Sequence, residues 1–142
     1  MKLFELMKPA RYTGGEFNSV VKNFDETACR IVLALPDVYE VGMSNLGLAI
    51  LYSILNRRDD TLCERTYALW TDAENFLTPL KTLESQRSVK NFDFLGFSLQ
   101  YEMIYTNVLN MLSLAGISLH SSERGDDEPF IIGGGPCVYN VE

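Results

Sequence analysis

Apolar residues in this chain fall into four short runs, at residues 30–36, 62–69, 92–99 and 129–132. The first run is almost continuously apolar and rich in branched side chains, and the second alternates only weakly with polar residues. Such runs are typical of strands buried on both faces of a parallel sheet. The pattern therefore predicts four parallel strands.

Between these runs, apolar residues recur at the spacing of a helix face. Residues 37–45 form a polar loop after the first strand, and Ser44 is the predicted N-cap of the helix that follows. One face of that helix is apolar: Leu48, Leu51, Tyr52 and Leu55. Thr71 is the predicted cap of a short helix after the second strand, while residues 80–91 show no clear pattern.

A further helix precedes the fourth strand. Thr106 is its predicted N-cap and Gly116 its predicted C-terminal stop. Its apolar face consists of Val108, Met111, Leu112 and Ala115.

Strands that alternate with helices indicate right-handed βαβ units and a flavodoxin-like (Rossmann-like) doubly wound α/β fold. We expect the strand order 2-1-3-4, with residues 1–29 as an N-terminal arm and residues 30–142 as the α/β domain. Nothing in the pattern predicts a helix or strand after the fourth strand, so we expect a fragment of a longer protein.

Composition narrows the function. The chain has 142 residues and a formal net charge of −7, and an acidic surface repels both nucleic-acid phosphates and anionic lipids. No apolar run reaches the roughly 20 residues needed to cross a bilayer, and the N-terminus has no signal-peptide pattern. Cys29, Cys63 and Cys137 are widely spaced, which favours reduced thiols over a metal site. We expect a cytoplasmic domain that binds neither nucleic acid nor membrane.

The residues best suited to bind a ligand lie in three loops. In open parallel sheets, ligands bind beyond the carboxyl ends of the strands, where the strand order reverses. For the order 2-1-3-4 this point lies between the first and third strands, so the loops at 37–45, 98–106 and 133–140 are expected to converge. These loops are also the richest in Gly, Ser, Asn and Asp.

The first and third loops also permit a purely structural interpretation. Gly42 and Gly47 allow a ligand to approach closely, and free amides near Ser44 can bind an anion, but an ordinary strand-to-helix turn has the same composition. The Gly133–Gly135 run indicates positive φ angles or a backbone pressed against something large, or simply a tight turn. The single histidine, His120, is expected on the surface rather than in a catalytic role.

Several blocks of the chain resemble the N-terminal cobalamin (B12)-binding-type domain of a bacterial family of radical SAM proteins. The blocks are KPARYTGGE (8–16), PDVYEVGMS (36–44), GFSLQYE (96–102), YTNVLNML (105–112) and GGGPC (133–137). Together they span nearly the whole chain.

The resemblance implies a cofactor site at the loops described above. Cobalamin domains carry an Asp-x-His-x-x-Gly loop, a Ser-x-Leu strand end and a Gly-Gly turn, between which the nucleotide tail of the cofactor threads. The matching positions, with their immediate neighbours, are Asp37, Tyr39, Gly42, Ser44, Ser98, Gln100, Gly133, Gly134 and Gly135. Two positions depart from the pattern. Tyr39 replaces the histidine that ligates cobalt, and Gln100 replaces the leucine.

The implied function is that of an accessory domain of a radical SAM enzyme, which presents cobalamin or substrate to a downstream barrel of the same polypeptide. The 4Fe–4S cluster and S-adenosylmethionine would belong to that barrel, so this domain has no catalytic or metal-ligating residue of its own. A phenol that titrates near 10 is a poor replacement for imidazole, so bound cobalamin would lack a nitrogen ligand from the protein. Two alternatives stay open: a structural domain that has lost the cofactor, with residues 8–16 docking on the barrel, and a flavin- or nucleotide-binding module.

Overall fold

The computed structural model describes residues 3–139 and contains one sheet of four parallel strands in the order β2-β1-β3-β4. The strands are β1 (Cys29–Leu35), β2 (Thr61–Tyr67), β3 (Phe94–Ser98) and β4 (Phe130–Gly134). β1 pairs with β2 on one side and with β3 on the other, and β4 extends β3. The predicted flavodoxin-like fold and strand order are confirmed.

The helices are α1 (Tyr39–Met43), α2 (Leu46–Asn56), α3 (Thr71–Glu74) and α4 (Tyr105–Ala115). α1 was not predicted, because a five-residue helix is too short to show a helical period. Short 3-10 turns occur at Leu3–Glu5, Pro9–Tyr12, Phe24–Glu26, Val89–Asn91, Glu102–Ile104, Ser121–Glu123 and Pro136–Tyr139.

None of the three predicted N-caps acts as one. α2 is capped by Asn45, whose Oδ1 accepts from the Leu48 amide at 2.8 Å, while the Ser44 hydroxyl donates to the Val41 carbonyl. Trp70 and Ile104 precede α3 and α4 without a side-chain cap. α1 places Ser44 at its own C-terminus, one position too early to cap α2. The left-handed Gly116 does end α4, as predicted (φ 68°).

The core has two layers, one on each face of the sheet. On one face, Val32, Leu95 and Phe97 pack under α4. On the other, Leu33 and Leu35 pack under α2, which contributes Leu48 and Tyr52. The alternation places α2 and α4 on opposite faces, as right-handed crossovers require.

The N-terminal arm packs against the α/β domain. Phe24 is buried and meets Phe92 edge to face at 5.2 Å. The Lys22 ammonium donates to three backbone carbonyls around the C-terminus of α2, those of Asn56, Arg58 and Thr61, at 2.6–2.9 Å. A cation at this end of a helix satisfies free carbonyls and the helix dipole.

Cys63 and Cys137 are buried and Cys29 is half-buried, and all three are free thiols. His120 is exposed, as expected. Within residues 3–139, no helix has the length and apolar character needed to cross a membrane.

Candidate functional site

The turns after β1, β3 and β4 meet at the carboxyl edge of the sheet. The Tyr101 hydroxyl, after β3, donates to the Asp37 carboxylate, after β1. Asn107 Nδ2 donates to the Pro36 carbonyl at 2.9 Å, and the Leu99 amide donates to the Gly134 carbonyl at 2.7 Å. These bonds join the three turns into one wall, as the order 2-1-3-4 predicts.

A groove of about 440 Å³ runs along this edge, on the face of the sheet that carries α2. α2 forms one wall, and the ends of β3 and β4 form the floor. The lining residues are Leu33, Gly47, Leu48, Ile50, Leu51, Gly96, Phe97, Ser98, Gln100, Ile132, Gly134 and Gly135. The volume lies within the range of small-molecule sites, which are mostly apolar with a few polar groups.

The glycine run shapes the floor of this groove. A Cβ on Gly134 would meet nothing within 4 Å, so the groove is open above this residue. Gly135 has a φ of 113°, and a Cβ there would lie 2.5 Å from the Leu99 carbonyl oxygen. Gly135 is therefore required by the packing of the β3 and β4 turns, whereas Gly134 leaves space that a side chain would fill.

Polar groups in the groove are few. Gln100 Nε2 donates to the Ser98 hydroxyl at 2.7 Å, which leaves the amide oxygen of Gln100 able to accept another bond. At the nearby junction of the turns, the hydrogen bond to Asp37 raises the pKa of Tyr101 above its usual value.

Tyr39 and Gly42 lie away from the groove. The Tyr39 hydroxyl donates to Glu16 Oε1 at 2.9 Å, and its ring packs edge to face on Tyr67 at 5.8 Å. A Cβ on Gly42 would lie 2.1 Å from the Tyr67 ring, so this glycine makes room for a tyrosine of its own domain. Of the nine predicted positions, four line the groove (Ser98, Gln100, Gly134, Gly135), and Asp37 lies at the junction of the turns. Gly133 does not line the groove, because a Cβ there would meet Leu99 and Val138. Tyr39, Gly42 and Ser44 belong to α1 and its ends.

Beside Tyr39 lies a buried ionic cluster that the sequence pattern did not reveal. Arg65, in β2, donates through Nε to Glu84 Oε1 at 2.7 Å and through Nη2 to Glu16 Oε2 at 3.4 Å. The side chain of Glu84 is fully buried, and burial raises its pKa although Arg65 opposes this. Arg65 also lies over the Tyr52 ring at 4.3 Å. The only sequence signal for this cluster was that Arg65, a charged residue, lies in a strand predicted to be buried on both faces.

Through these ion pairs, two irregular segments pack against the edge strand β2. Glu16 belongs to the KPARYTGGE block, and Glu84 belongs to residues 80–91, which showed no secondary-structure pattern. The Leu83 amide also donates to the Arg65 carbonyl at 2.8 Å. These segments are therefore ordered by long-range contacts rather than by local propensity.

The groove and the first loop differ in how well they fit cobalamin. The open space at Gly134 and the polar pair at Ser98 and Gln100 fit the nucleotide tail. Tyr39 does not fit the role of cobalt ligand, because its hydroxyl donates a hydrogen bond to Glu16 and its ring packs on Tyr67. Among residues 3–139 no group of three or more His, Cys, Asp or Glu side chains is placed to hold a metal ion.

The fold and groove define a parallel α/β domain with a ligand-sized site at its strand ends. The family model described as radical SAM proteins, N-terminal, matches residues 47–142, and the chain belongs to this family. Radical SAM proteins carry a 4Fe–4S cluster and S-adenosylmethionine. No curated protein and no solved structure matches the chain.

Proposed function

We propose that this chain is the accessory N-terminal domain of a radical SAM enzyme and that its strand-end groove holds the nucleotide tail of cobalamin. The observation that carries the proposal is the groove of about 440 Å³ at the point where the strand order reverses. Family membership supplies the context of a larger radical SAM protein.

The lining of the groove supports this choice of ligand. An aromatic base and its ribose need an apolar slot with a few hydrogen-bonding groups, and the groove offers apolar walls from α2 with Ser98 and Gln100 at one end. Gly134 leaves room for the ligand where any side chain would obstruct it.

Cobalamin would be held here without a cobalt ligand from the protein. When bound, cobalamin supplies methyl-transfer or redox chemistry at cobalt. The role of this chain is to bind and orient the cofactor, and Tyr39 takes no part in it because it is bonded to Glu16.

A domain that keeps the fold without the cofactor is the second candidate. It is favoured by the first loop, where Tyr39 and Gly42 serve internal packing. The version in which residues 8–16 dock on a barrel has less support, since these residues bind their own domain. Lys8 and Arg11 pair with Glu40 at 3.0 Å, and Arg11 lies over Trp70 at 5.2 Å.

Titration of the purified protein with hydroxocobalamin separates the two candidates. We expect a saturable shift of the visible absorption bands, weakened at least about tenfold by Gly134→Leu, because the new side chain fills the groove. Ser113→Leu is the matched control, since it adds the same side chain on the exposed face of α4. Circular dichroism confirms that both variants are folded.

No shift at high micromolar hydroxocobalamin contradicts cobalamin binding and favours the structural role. An equal shift with Gly134→Leu contradicts the groove as the binding site. FMN titrated in parallel tests the flavin alternative, which predicts fluorescence quenching that Gly134→Leu abolishes.

A further inference from the structure

The outer face of α2 is apolar except for Ser53. Leu46, Ile50, Leu51 and Ile54 are 72%, 49%, 49% and 52% exposed, and α2 contains no charged residue. The helix also buries Leu48 and Tyr52 on its inner face. A helix that is apolar on most of its circumference is normally buried on both sides.

α4 provides the comparison within the same chain. It also has eleven residues, but its exposed face mixes Tyr105 and Leu109 with the polar residues Thr106, Asn110 and Ser113. The two helices pack on opposite faces of one sheet. The outer face of α2 therefore exposes more large apolar side chains than that of α4.

The sheet beside α2 is uncovered in the same way. Phe130 and Ile132 of β4 point to this face and are 72% and 51% exposed. Phe130 stacks on the ring of Phe94 in β3 at 5.7 Å. Parallel sheets are covered on both faces in almost all proteins. The exposed residues of α2 and of β4 form one continuous surface, which we call the α2–β4 surface.

β4 is also an edge strand. Within residues 3–139 it pairs only with β3. The Phe130 amide donates to the Asp93 carbonyl on the β3 side, so the amides of Ile131 and Gly133 point to the free edge. A free edge of unpaired amides and carbonyls is a template for another strand.

The right-handed rule for connections between parallel strands limits how one segment can both pair with β4 and cover the α2 face. Connections that advance from β3 towards the β4 edge run over the α4 face, as α4 itself does. Among connections within this sheet, only one that returns from a strand lying beyond β4 runs over the α2 face. This excludes the connection between β4 and that strand as the cover.

We infer that the α2–β4 surface is covered by an amphipathic helix from the rest of the radical SAM protein, preceded by a strand that pairs in parallel with β4. The helix would pack its apolar face on Ile50, Ile54 and Ile132, and would form the missing wall of the groove. The inference rests on the exposed apolar surface and the free strand edge, and it holds whether or not cobalamin binds.

Hydrogen exchange and thiol labelling test this on two proteins, the 142-residue chain and the complete radical SAM protein. We expect the amides of Ile131 and Gly133 to exchange at least about tenfold more slowly in the complete protein. The amides of Phe130 and Ile132, which face β3, are the internal control and exchange slowly in both. Ile54→Cys, in a Cys29→Ser background, should react with maleimide at least about tenfold more slowly in the complete protein, and Ser113→Cys at the same rate in both.

Fast exchange at Ile131 and Gly133 in the complete protein overturns the added strand, and equal labelling of Ile54→Cys overturns the covering helix. Protection that appears in the 142-residue chain and rises with its concentration overturns the inference in favour of a second copy. Sedimentation velocity of the chain, with and without Ile54→Lys, identifies that outcome.

Discussion

The Tyr39 hydroxyl donates a hydrogen bond to Glu16 across 23 residues of chain, at 2.9 Å. It joins the first residue of α1 to the KPARYTGGE block of the arm, next to the buried pair of Arg65 and Glu84. Burial and the hydrogen bond to Glu16 raise the pKa of Tyr39, so the phenol remains a donor at neutral pH. The resemblance to cobalamin domains implies a cofactor ligand at this position, whereas in the structure Tyr39 makes a hydrogen bond within its own domain.

The bond between Tyr39 and Glu16 should be measurable as a coupling energy. We expect Tyr39→Phe to lower the free energy of unfolding by about 1 kcal/mol, because the ring contact with Tyr67 is kept and one hydrogen bond is lost. Urea denaturation of Tyr39→Phe, Glu16→Gln and the double variant provides the cycle. Strictly additive effects would mean that the two side chains do not interact in solution.

Restoring the histidine should not restore a cobalt ligand. In Tyr39→His the side chain stays on the side of α1 that faces Tyr67, because Gly42 and Tyr67 fix the path of the helix. We expect the electron paramagnetic resonance spectrum of the cob(II)alamin-loaded variant to lack splitting from a histidine nitrogen, as in the unsubstituted protein. Splitting that appears only in the variant would place Tyr39 in the cofactor site after all.

Neighbouring glycines should respond in opposite ways to alanine. Gly135→Ala places a Cβ against the Leu99 carbonyl at a φ of 113°, and we expect a loss of about 1–3 kcal/mol in the free energy of unfolding. Gly134→Ala enters open space and should change stability by less than about 0.5 kcal/mol. Chemical denaturation of both variants checks this. A large loss for Gly134→Ala would show that the groove is narrower than the structure indicates.

The buried cluster should be sensitive to removal of its only cation. Arg65→Met leaves the fully buried Glu84 without its partner, and we expect a loss of about 3–5 kcal/mol in the free energy of unfolding. Adding Glu84→Gln to Arg65→Met should recover part of this loss. Arg58→Met, which breaks the exposed pair with Asp60, is the control and should leave the midpoint of denaturation unchanged. Equal effects of Arg65→Met and Arg58→Met would contradict the burial of the cluster.

Acid should weaken the contact between β1 and the residue preceding β3. Asp93 accepts from the Arg30 amide and, through both oxygens, from its guanidinium at 2.8–3.0 Å, which lowers the pKa of Asp93 from 3.8. Its contribution to stability is therefore complete above pH 3.8 and is lost as the pH falls through the lowered, folded-state pKa. Both side chains are about one-third exposed, so solvent screening limits the effect to about 1 kcal/mol or less.

Asp93→Asn isolates the contribution that the charge of Asp93 makes to the free energy of unfolding. The stability difference between Asp93→Asn and the unsubstituted protein should be constant near neutral pH and should shrink as the pH falls below 3.8. Urea denaturation over this range measures it. A difference that does not change with pH would assign the effect to geometry rather than to the charge of Asp93.

Local sequence signals determined the framework of this protein. Apolar runs identified β1 and β3, and helical spacing identified α2 and α4. Their alternation indicated a doubly wound sheet, for which 2-1-3-4 is a common strand order. The convergence of the turns after Pro36, Leu99 and the end of β4 followed from that order. These features were predictable because a strand or an amphipathic helix is encoded within a few adjacent residues.

Only the tertiary structure decided which loop residues face the groove and which serve packing. Gly42 and Gly134 both belong to segments that were predicted to be loops, yet one is pressed against Tyr67 and the other faces open space. The fastening of Glu16 and Glu84 to Arg65 likewise joins positions that are far apart in the chain. The side chain that fills the space next to a residue comes from elsewhere in the sequence, so no local pattern can reveal it.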